Sequence, residues 1–503
     1  MTRVSARSVI DILVDPGSWI SWDEPITDPP MDRGYADELA TARAKTGLDE
    51  SVLTGAATIG GRRVAMLLCD FGFLGGSIGV AAGERLTAAI RRATAERLPL
   101  LALPTSGGTR MQEGTTAFLQ MVKITAAVVD HKSAQLPYLV YLRNPTTGGV
   151  FASWGSLGHV TMAEPGALVG FLGPRVYQAL YGSPFPEGVQ TSENLFSCGL
   201  IDAVVWLDRL ADMVDRALSI IAPPPARVDT PAPPRGGAVD MPAWHSVIAS
   251  RRPDRPGVRE LLQYSATDVL PLNGTGQGEN EPGLLLALAR FGDWPCVLLG
   301  QDRDGQTAKE PLGPGALRQA RRGMVLASEL HLPLVTVIDT AGAALSQAAE
   351  EGGLAGEIAR CIAQMVALDV PTVSVLLGQG TGGGALALVP ADRVLAAQHG
   401  WLSPLPPEGA SAILHHDTSR APEMAARQGV RSIDLHMHGL VDHVIPEYPD
   451  AAKEPEEFCR RVGTALRHEL ATLTQQDDDA RRVERALRFE RLGTVGSVLA
   501  EAG

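Results

Sequence analysis

Short apolar segments alternate with longer alanine-rich stretches along most of the chain. LPLLALP (98–104) and LPYLVYL (136–142) lie in the first half, and LPLVTVI (332–338) and VPTVSVLL (370–377) lie in the second. Apolar runs of this length, separated by stretches with helical spacing, are typical of buried parallel strands joined by crossover helices. The pattern therefore predicts an α/β fold in both halves.

A segment rich in proline and glycine separates the halves. APPPARVDTPAPPRGGAVDMP (222–242) has no apolar periodicity, which is typical of a semi-extended linker. The chain has 503 residues, more than one ordinary domain holds. We therefore predict an N-terminal domain over residues 1–222, a linker over 223–242 and a C-terminal domain over 243–503.

Composition narrows the class of protein. A hydrophobic fraction of 45% and a charged fraction of 20% describe a compact globular chain. The formal charge of −13 argues against nucleic acid or an anionic membrane as a partner, and no secretory signal is visible at the start, so we expect a cytoplasmic protein. The five cysteines form no CxxC pair, which predicts buried free thiols rather than a zinc site or disulfides.

The two halves repeat each other around their glycines. SGGTR (106–110) and TTGG (146–149) follow the apolar runs of the first half, and AGAALSQ (341–347) and GTGGG (380–384) follow those of the second. From Gly107 to Gly148 is 41 residues, as it is from Gly342 to Gly383. This spacing predicts an internal repeat. Its glycine turns would lie at the carboxyl ends of neighbouring parallel strands, where open α/β sheets bind ligands.

Such turns can present backbone N–H groups to an anionic oxygen. Glycine has no Cβ to block a ligand, and amides at the start of a helix lack partners within it. The alternative is that these glycines only form tight turns and close packing. Two such sites suit a reaction that passes through an enolate, and the candidate residues are Gly107, Gly108, Gly148, Gly149, Gly342, Gly382, Gly383 and Gly384.

Several long motifs resemble one enzyme family. FGFLGGSIGVAAGERL (71–86), SGGTRMQEG (106–114) and PTTGGVFASWGSLGHVTMAEPGALVGFLGPRV (145–176) resemble the β subunit of bacterial acetyl-CoA carboxylase carboxyltransferase. SRRPDRPG (250–257) and GQGTGGGALAL (378–388) resemble its α subunit. The resemblance implies both subunits fused in one chain, β before α, as two domains of the ClpP/crotonase superfold.

The resemblance also implies a reaction. The first half would hold the thioester oxygen of acyl-CoA at Gly107, Gly108, Gly148 and Gly149, and the second half would hold carboxybiotin at Gly342 and residues 382–384. In the family's chemistry, carboxybiotin releases CO2, the biotin anion takes the α-proton and the enolate attacks CO2. We therefore expect a transferase that carboxylates acetyl-CoA, or another short acyl-CoA, to malonyl-CoA, as fatty acid biosynthesis requires.

Partners and ligand-binding residues follow from the same resemblance. The chain lacks a carboxylase segment and a biotin attachment motif, so a separate biotin carboxylase and biotin carboxyl carrier protein are expected. The family implies a homo-oligomer with active sites between protomers. The β subunit's zinc ribbon is absent, so no metal is predicted. The candidates for cofactor binding are Gly75, Gly76, Ser77, Arg85, Arg110 and Arg175, although surface or ion-pair roles are equally open for the arginines.

The same residues are compatible with two other functions. A biotin-independent malonyl-thioester decarboxylase would use the same enolate and the same amides. AGAALSQ (341–347) lacks the prolines and the tyrosine of the α subunit's turn, which leaves room for a noncatalytic subunit that binds CoA or a biotin carrier. Ser153 lies where peptidases of this superfold carry their nucleophile, but no histidine stands in a matching place to activate it.

Overall fold

The computed structural model describes residues 3–26, 32–224, 232, 239–307 and 310–491. The chain divides into two compact units, Met1–Ser219 with Gly276–Glu279, and Ile220–Thr275 with Asn280–Gly503. Most of the linker predicted over 223–242 lies outside the described residues.

The first unit is built around a mixed, mostly parallel sheet that packs against helices. Its helices are α1 (Ala6–Leu13), α2 (Arg33–Thr46), α3 (Val80–Ala95), α4 (Gly114–Ser133), α5 (Pro174–Tyr181), α6 (Ser192–Ser197) and α7 (Leu207–Ile221). Its strands are β1 (Ile20–Ser21), β2 (Val52–Ile59), β3 (Arg62–Cys69), β4 (Leu100–Leu103), β5 (Tyr138–Leu142), β6 (Thr146–Thr147), β7 (Val160–Ala163), β8 (Val169–Gly170) and β9 (Ala203–Val204).

The second unit has the same plan. Its helices are α8 (Ala243–Ser250), α9 (Val258–Ser265), α10 (Pro314–Leu330), α11 (Gln347–Glu351), α12 (Leu354–Ala367), α13 (Gly382–Leu386), α14 (Pro407–His415), α15 (Ala421–Arg427), α16 (Ser432–Met437), α17 (Pro455–Thr474) and α18 (Asp478–Glu490). Its strands are β10 (Asp268–Leu272), β11 (Leu284–Phe291), β12 (Trp294–Gln301), β13 (Leu334–Thr340), β14 (Thr372–Thr381), β15 (Arg393–Ala397), β16 (Trp401–Ser403) and β17 (His443–Ile445).

The strand order shows the repeat directly. The first sheet runs β1-β2-β3-β4-β5-β7-β9 and the second runs β10-β11-β12-β13-β14-β15-β17. In each, an antiparallel hairpin leads into parallel strands, with Val52 opposite Cys69 in the first hairpin and Leu284 opposite Gln301 in the second. The α/β fold with an internal repeat is therefore confirmed.

The central strands are apolar because they are buried on both faces of each sheet. The strand β4 is buried along its whole length, as are β5 and β13, which explains their near-continuous apolar sequences. The strands β4 and β5 end just before SGGTR and TTGG, and β13 and β14 end at the matching glycines of the second unit. Both pairs of turns thus start from adjacent parallel strands.

The cysteines follow the prediction with one exception. Cys69, Cys296, Cys361 and Cys459 are buried free thiols, whereas Cys198 is exposed, because it follows the last turn of the short surface helix α6. Burial raises the pKa of Cys69, Cys361 and Cys459 to about 12, so these thiols stay protonated at neutral pH.

The described residues contain neither a helix suited to cross a membrane nor a cluster suited to hold a metal ion. None of the described helices combines the length and the apolar composition needed to cross a membrane. Over the same part of the chain, no group of three or more histidine, cysteine, aspartate or glutamate side chains has a geometry that could hold a metal ion.

Candidate active site

The first glycine turn of the N-terminal unit is held by a serine. Gly108 has a φ of +110°, a region that L-residues with a side chain rarely adopt. Its N–H donates to Ser106 Oγ at 3.0 Å, and its carbonyl accepts from Ile78 N–H at 2.9 Å. The turn is therefore bonded on both sides of Gly108.

The second turn packs against the first, backbone to backbone. A Cβ on Gly108 would lie 3.4 Å from Gly149 N, and a Cβ on Gly148 would lie 3.3 Å from Gly107 O. Gly148 also has a positive φ, of +66°. The structure thus brings together the four glycines predicted from the sequence in this half. Their two backbone segments lie so close that side chains would push them apart.

The C-terminal unit repeats this arrangement. Gly342 has a φ of +130°, and its N–H donates to Thr340 Oγ1 at 3.1 Å. A Cβ on Gly384 would lie 3.3 Å from Ala343 N, so the two turns of this unit also touch. The altered sequence AGAALSQ (341–347) therefore still forms the turn seen in the other half.

The structure also corrects the register of the repeat. Gly108 matches Gly342, because each has a large positive φ and bonds to a hydroxyl two residues earlier. Parallel bridges at Ile78–Thr109 and Leu312–Ala343 support this match. The alignment of Gly107 with Gly342, made from spacing alone, is one residue out of register, and Gly148 pairs with Gly382 rather than Gly383.

Some amides of the glycine turns donate hydrogen bonds within the protein, and other amides of the same turns do not. Gly107 N–H donates to Gly75 O at 2.9 Å, and Gly148 N–H donates to Phe171 O at 3.0 Å. Within the part of the chain that the structure describes, other turn amides have no hydrogen-bond partner, namely those of Thr109, Gly149, Ala343, Gly383 and Gly384.

Thr109 and Ala343 were missed by sequence reasoning because they are not glycines. Each directly follows the glycine with the largest positive φ in its unit. The available signal was the serine or threonine two residues before that glycine, in Ser106-x-Gly108 and Thr340-x-Gly342. Gly108 and Gly342 shape the turns, and the residues that follow them offer the unpaired donors.

A buried carboxyl lies beside the turn of the second unit. Asp339 is 1% exposed, and its Oδ1 accepts from Gln379 N–H at 3.0 Å. Burial raises the pKa of Asp339, although the Arg303 guanidinium opposes this shift. Asp339 precedes Thr340, the residue that holds Gly342.

The candidate arginines are engaged within the first unit. Arg85 pairs with Asp49 at 2.6 Å, and Arg110 forms a buried bidentate pair with Glu50. The geometry favours the ion-pair alternative for both side chains. Arg175 belongs to α5, and its side chain lies outside the described part of the structure.

The loop with Gly75, Gly76 and Ser77 packs against the first glycine turn. Gly75 O accepts from Gly107 N–H, and a Cβ on Gly76 would collide with the carbonyl oxygen of Thr105. Ser77 Oγ donates to Leu74 O at 2.8 Å. These contacts place the loop next to the glycine turns, and a role of its residues in cofactor binding stays a prediction.

Ser153 supports the same site. Its Oγ donates to Gly149 O at 2.5 Å and lies 3.6 Å from Met121 Sδ, and neither atom can act as a base. Ser153 therefore fixes the carbonyl of the residue whose N–H is unpaired.

We expect Ser153→Ala to lower turnover by only about fivefold, because one hydrogen bond contributes about 1 kcal/mol. Steady-state kinetics, with labelling by a fluorophosphonate probe, test this. A loss of about 10⁴-fold, together with labelling of wild-type Ser153, would identify a nucleophile instead.

Comparison with known proteins gives the class. A family model described as the carboxyl transferase domain matches residues 2–483. The chain is 62% identical to the probable biotin-dependent acyl-coenzyme A carboxylase beta3 subunit of Mycobacterium tuberculosis, over 98% of this chain and 99% of the relative. It is 36% identical to the acetyl-coenzyme A carboxylase carboxyl transferase subunits beta/alpha of Salinispora tropica, over 98% and 92%. The chain therefore belongs to the carboxyl transferase family.

Within that family, the chain lies with the carboxyl transferase subunits of biotin-dependent acyl-coenzyme A carboxylases, which confirms the resemblance read from the motifs. Solved structures agree on the fold. Transcarboxylase 12S superimposes with a TM-score of 0.75 at 21% identity, covering 94% of this chain and 91% of that chain. A single-chain, multi-domain long-chain acyl-CoA carboxylase gives 0.68 at 18%, covering 90% and 45%. The crotonase-like fold is thus confirmed.

Proposed function

We propose that the chain transfers a carboxyl group from carboxybiotin to a short acyl-CoA, with acetyl-CoA as the acceptor and malonyl-CoA as the product. One observation carries the proposal: the same pair of contacting turns occurs in both units, and each pair has unpaired amide donors on both turns. Two such sites suit a reaction in which donor and acceptor both develop an anionic oxygen.

In the N-terminal unit, the amides of Thr109 and Gly149 are proposed to hold the thioester oxygen as it becomes an enolate. Preorganised backbone donors favour that charge without having to reorient. A cavity of about 880 Å³ reaches Gly75, which is bonded to the turn, and Arg3 and Lys45 line it. Asp37, Glu38 and Asp70 line the same cavity, so Arg3 and Lys45 are proposed as the groups that pair with CoA phosphates there, in place of the engaged Arg85 and Arg110.

In the C-terminal unit, the amides of Ala343, Gly383 and Gly384 are proposed to hold the ureido oxygen of biotin. The fit rests on the small side chains of this turn, because a Cβ on Gly384 would close the approach to Ala343 N. When bound, carboxybiotin supplies the activated carboxyl group. The amides bind and orient the ureido oxygen, and they stabilise negative charge on it.

We further propose that biotin carboxylase and the carrier are separate proteins, and that the chain works as a homo-oligomer. Phe118, Val122 and Val129 on α4 are 59%, 66% and 51% exposed. An exposed apolar stripe of this kind marks an interaction surface. Transcarboxylase 12S, which shares the fold, is described as a hexamer.

The reverse reaction tests the chemistry. Purified chain, incubated with malonyl-CoA and biocytin, is expected to form acetyl-CoA at a rate that rises with biocytin concentration, measured by chromatography of the CoA esters. Turnover independent of biocytin would indicate a decarboxylase. No turnover despite CoA binding would indicate a noncatalytic subunit. If methylmalonyl-CoA gives the higher kcat/KM, the preferred acceptor becomes propionyl-CoA and the chemistry stands.

A further inference from the structure

The second turn of the C-terminal unit begins with three consecutive glycines. Gly382, Gly383 and Gly384 open α13, a helix of five residues. Glycine loses more conformational freedom on folding than any other residue, and a helix this short has little stability of its own. Precise placement of these amides therefore requires contacts from outside the helix.

Gln301 supplies such a contact. It is the last residue of β12 and is fully buried. Its Nε2 donates to Gly384 O at 2.7 Å, and its Oε1 accepts from Asp339 N–H at 3.2 Å. One side-chain amide thus joins the start of α13 to the end of β13.

Gln306 extends the connection to the other turn. Its Nε2 donates to Asp339 O at 3.2 Å, and its Oε1 accepts from Thr340 Oγ1 at 2.6 Å. Thr340 Oγ1 in turn accepts from Gly342 N–H at 3.1 Å. A continuous set of hydrogen bonds therefore runs from Gly384 through Gln301, the Asp339 backbone and Gln306 to Gly342.

The second glycine turn of the N-terminal unit is held by a different side chain. Cys69 occupies the position of Gln301, since Cys69 faces Val52 and Gln301 faces Leu284 at the same place in the two hairpins. There, Ser153 Oγ holds the carbonyl of the second turn through Gly149. The glutamine bridge is therefore a feature of the second unit and not of the repeat as such.

We propose that Gln301 is a positioning residue that sets the distance between the two glycine turns of the C-terminal unit, and so controls the carboxybiotin half of the reaction. The inference rests on the proposed function, because it assumes that these turns hold the biotin oxygen. The inference assigns a role in the reaction to Gln301, which contacts neither substrate. Gln301 acts through the backbone atoms of Gly384 and Asp339.

The test compares Gln301→Leu and Gln301→Glu with the wild type in the reverse reaction. The leucine variant loses both hydrogen bonds and is expected to lose about 10²-fold in kcat at every pH, the cost of a displacement of about 1 Å at a catalytic site. The KM for malonyl-CoA is expected to stay unchanged, because the two hydrogen bonds of Gln301 lie within the C-terminal unit. Gln319→Leu, which removes another buried glutamine bonded to Leu284 O, is the matched control and is expected to keep its kcat within about twofold of the wild type.

The glutamate variant adds a readout that a merely structural role would not produce. An ionised carboxylate cannot donate to Gly384 O, whereas a protonated carboxyl can, and burial raises the pKa of such a group. The ratio of variant to wild-type kcat is therefore expected to rise as the pH falls from about 8.5 to 6. The wild type, measured at the same pH values, corrects for the pH dependence of the reaction itself.

The outcomes separate the two proposals. A wild type without biotin-dependent turnover overturns the proposed function and this inference with it. An active wild type with a fully active Gln301→Leu variant overturns the inference alone. If the leucine variant does not fold by circular dichroism, the glutamate variant decides: a kcat ratio that does not change with pH overturns the inference, and a ratio that rises toward low pH supports it.

Discussion

The Gly383→Val variant is expected to lose about 10²- to 10³-fold in kcat for the biotin-dependent reaction, the cost of removing one oxyanion donor. Gly383 is not among the glycines with positive φ, so valine does not strain the backbone. The new Cβ would lie 2.6 Å from Ile358 Cδ1, the movable end of a side chain. Its γ-methyl groups are expected to extend beside the unpaired Gly383 amide and to exclude the ureido oxygen proposed to bind there.

Gly149→Val is the equivalent change in the N-terminal unit. Gly149 follows Gly148 and Gly383 follows Gly382, and these two preceding glycines both have a positive φ. We expect kcat/KM for malonyl-CoA to fall by a similar factor, because the blocked amide is one of the two proposed to hold the thioester oxygen. Isothermal titration of CoA separates loss of binding from loss of turnover in both variants.

Gly356→Val serves as the control for both glycine variants. Gly356 lies in α12, and the atoms nearest to a Cβ there belong to the movable Arg360 guanidinium of the same helix. Its kinetics are expected to match those of the wild type. Full activity in Gly383→Val would contradict the second oxyanion site, and equal loss in Gly356→Val would show that the effect is structural.

The Arg255→Met variant is expected to destabilise the C-terminal unit by about 3–5 kcal/mol, the usual cost of removing one member of a buried ion pair. Arg255 and Glu447 are both 0% exposed and form a bidentate pair at 2.7 and 2.8 Å. Arg255 also donates to Leu377 O at 2.8 Å, on the strand β14 that leads into the glycine turn. Loss of the guanidinium leaves the Glu447 charge buried without its partner.

Urea unfolding followed by circular dichroism measures this effect. Arg252→Met is the control, because Arg252 pairs with Asp254 near the surface, and a shift below about 1 kcal/mol is expected. Arg255→Met combined with Glu447→Leu should recover much of the stability, since no unpaired charge remains. An Arg255→Met variant as stable as the control would contradict this account.

The same ion pair predicts a pH dependence. Burial opposes ionisation of Glu447, but the Arg255 guanidinium outweighs it and lowers the pKa of the carboxyl below its usual value. A lowered pKa in the folded state contributes stability at neutral pH, and this contribution is lost as the pH falls through the lowered pKa. Arg255→Met should therefore lose the part of the acid sensitivity that this pair causes.

Much of the fold could be read from local patterns. The runs at 98–104 and 332–338 predicted buried parallel strands because a strand buried on both faces requires apolar side chains at nearly every position. The glycines predicted the turns because only glycine adopts the φ of Gly108 and Gly342 at little cost. Long motifs then identified the family, which the comparisons confirm.

The register of the repeat and the identity of the donors needed three dimensions. Spacing aligned Gly107 with Gly342, but hydrogen bonds to Ser106 and Thr340 align Gly108 with Gly342. The spacing of residues in the sequence does not show which amide of a turn donates a hydrogen bond within the protein and which has no partner. The amides of Thr109 and Ala343 are left without a partner because the amides beside them are bonded elsewhere, Gly108 to Ser106 and Gly342 to Thr340.

The sequence by itself thus determined the strands, the glycine turns and the family, because these depend on periodicity, backbone freedom and long specific motifs. Tertiary structure decided what each polar side chain does. Arg85 and Arg110 suited phosphate by their chemistry, yet each meets a carboxylate far away in sequence. Gln301 carries no motif, yet it joins two turns, because pairing of the strands brings distant residues within hydrogen-bond distance.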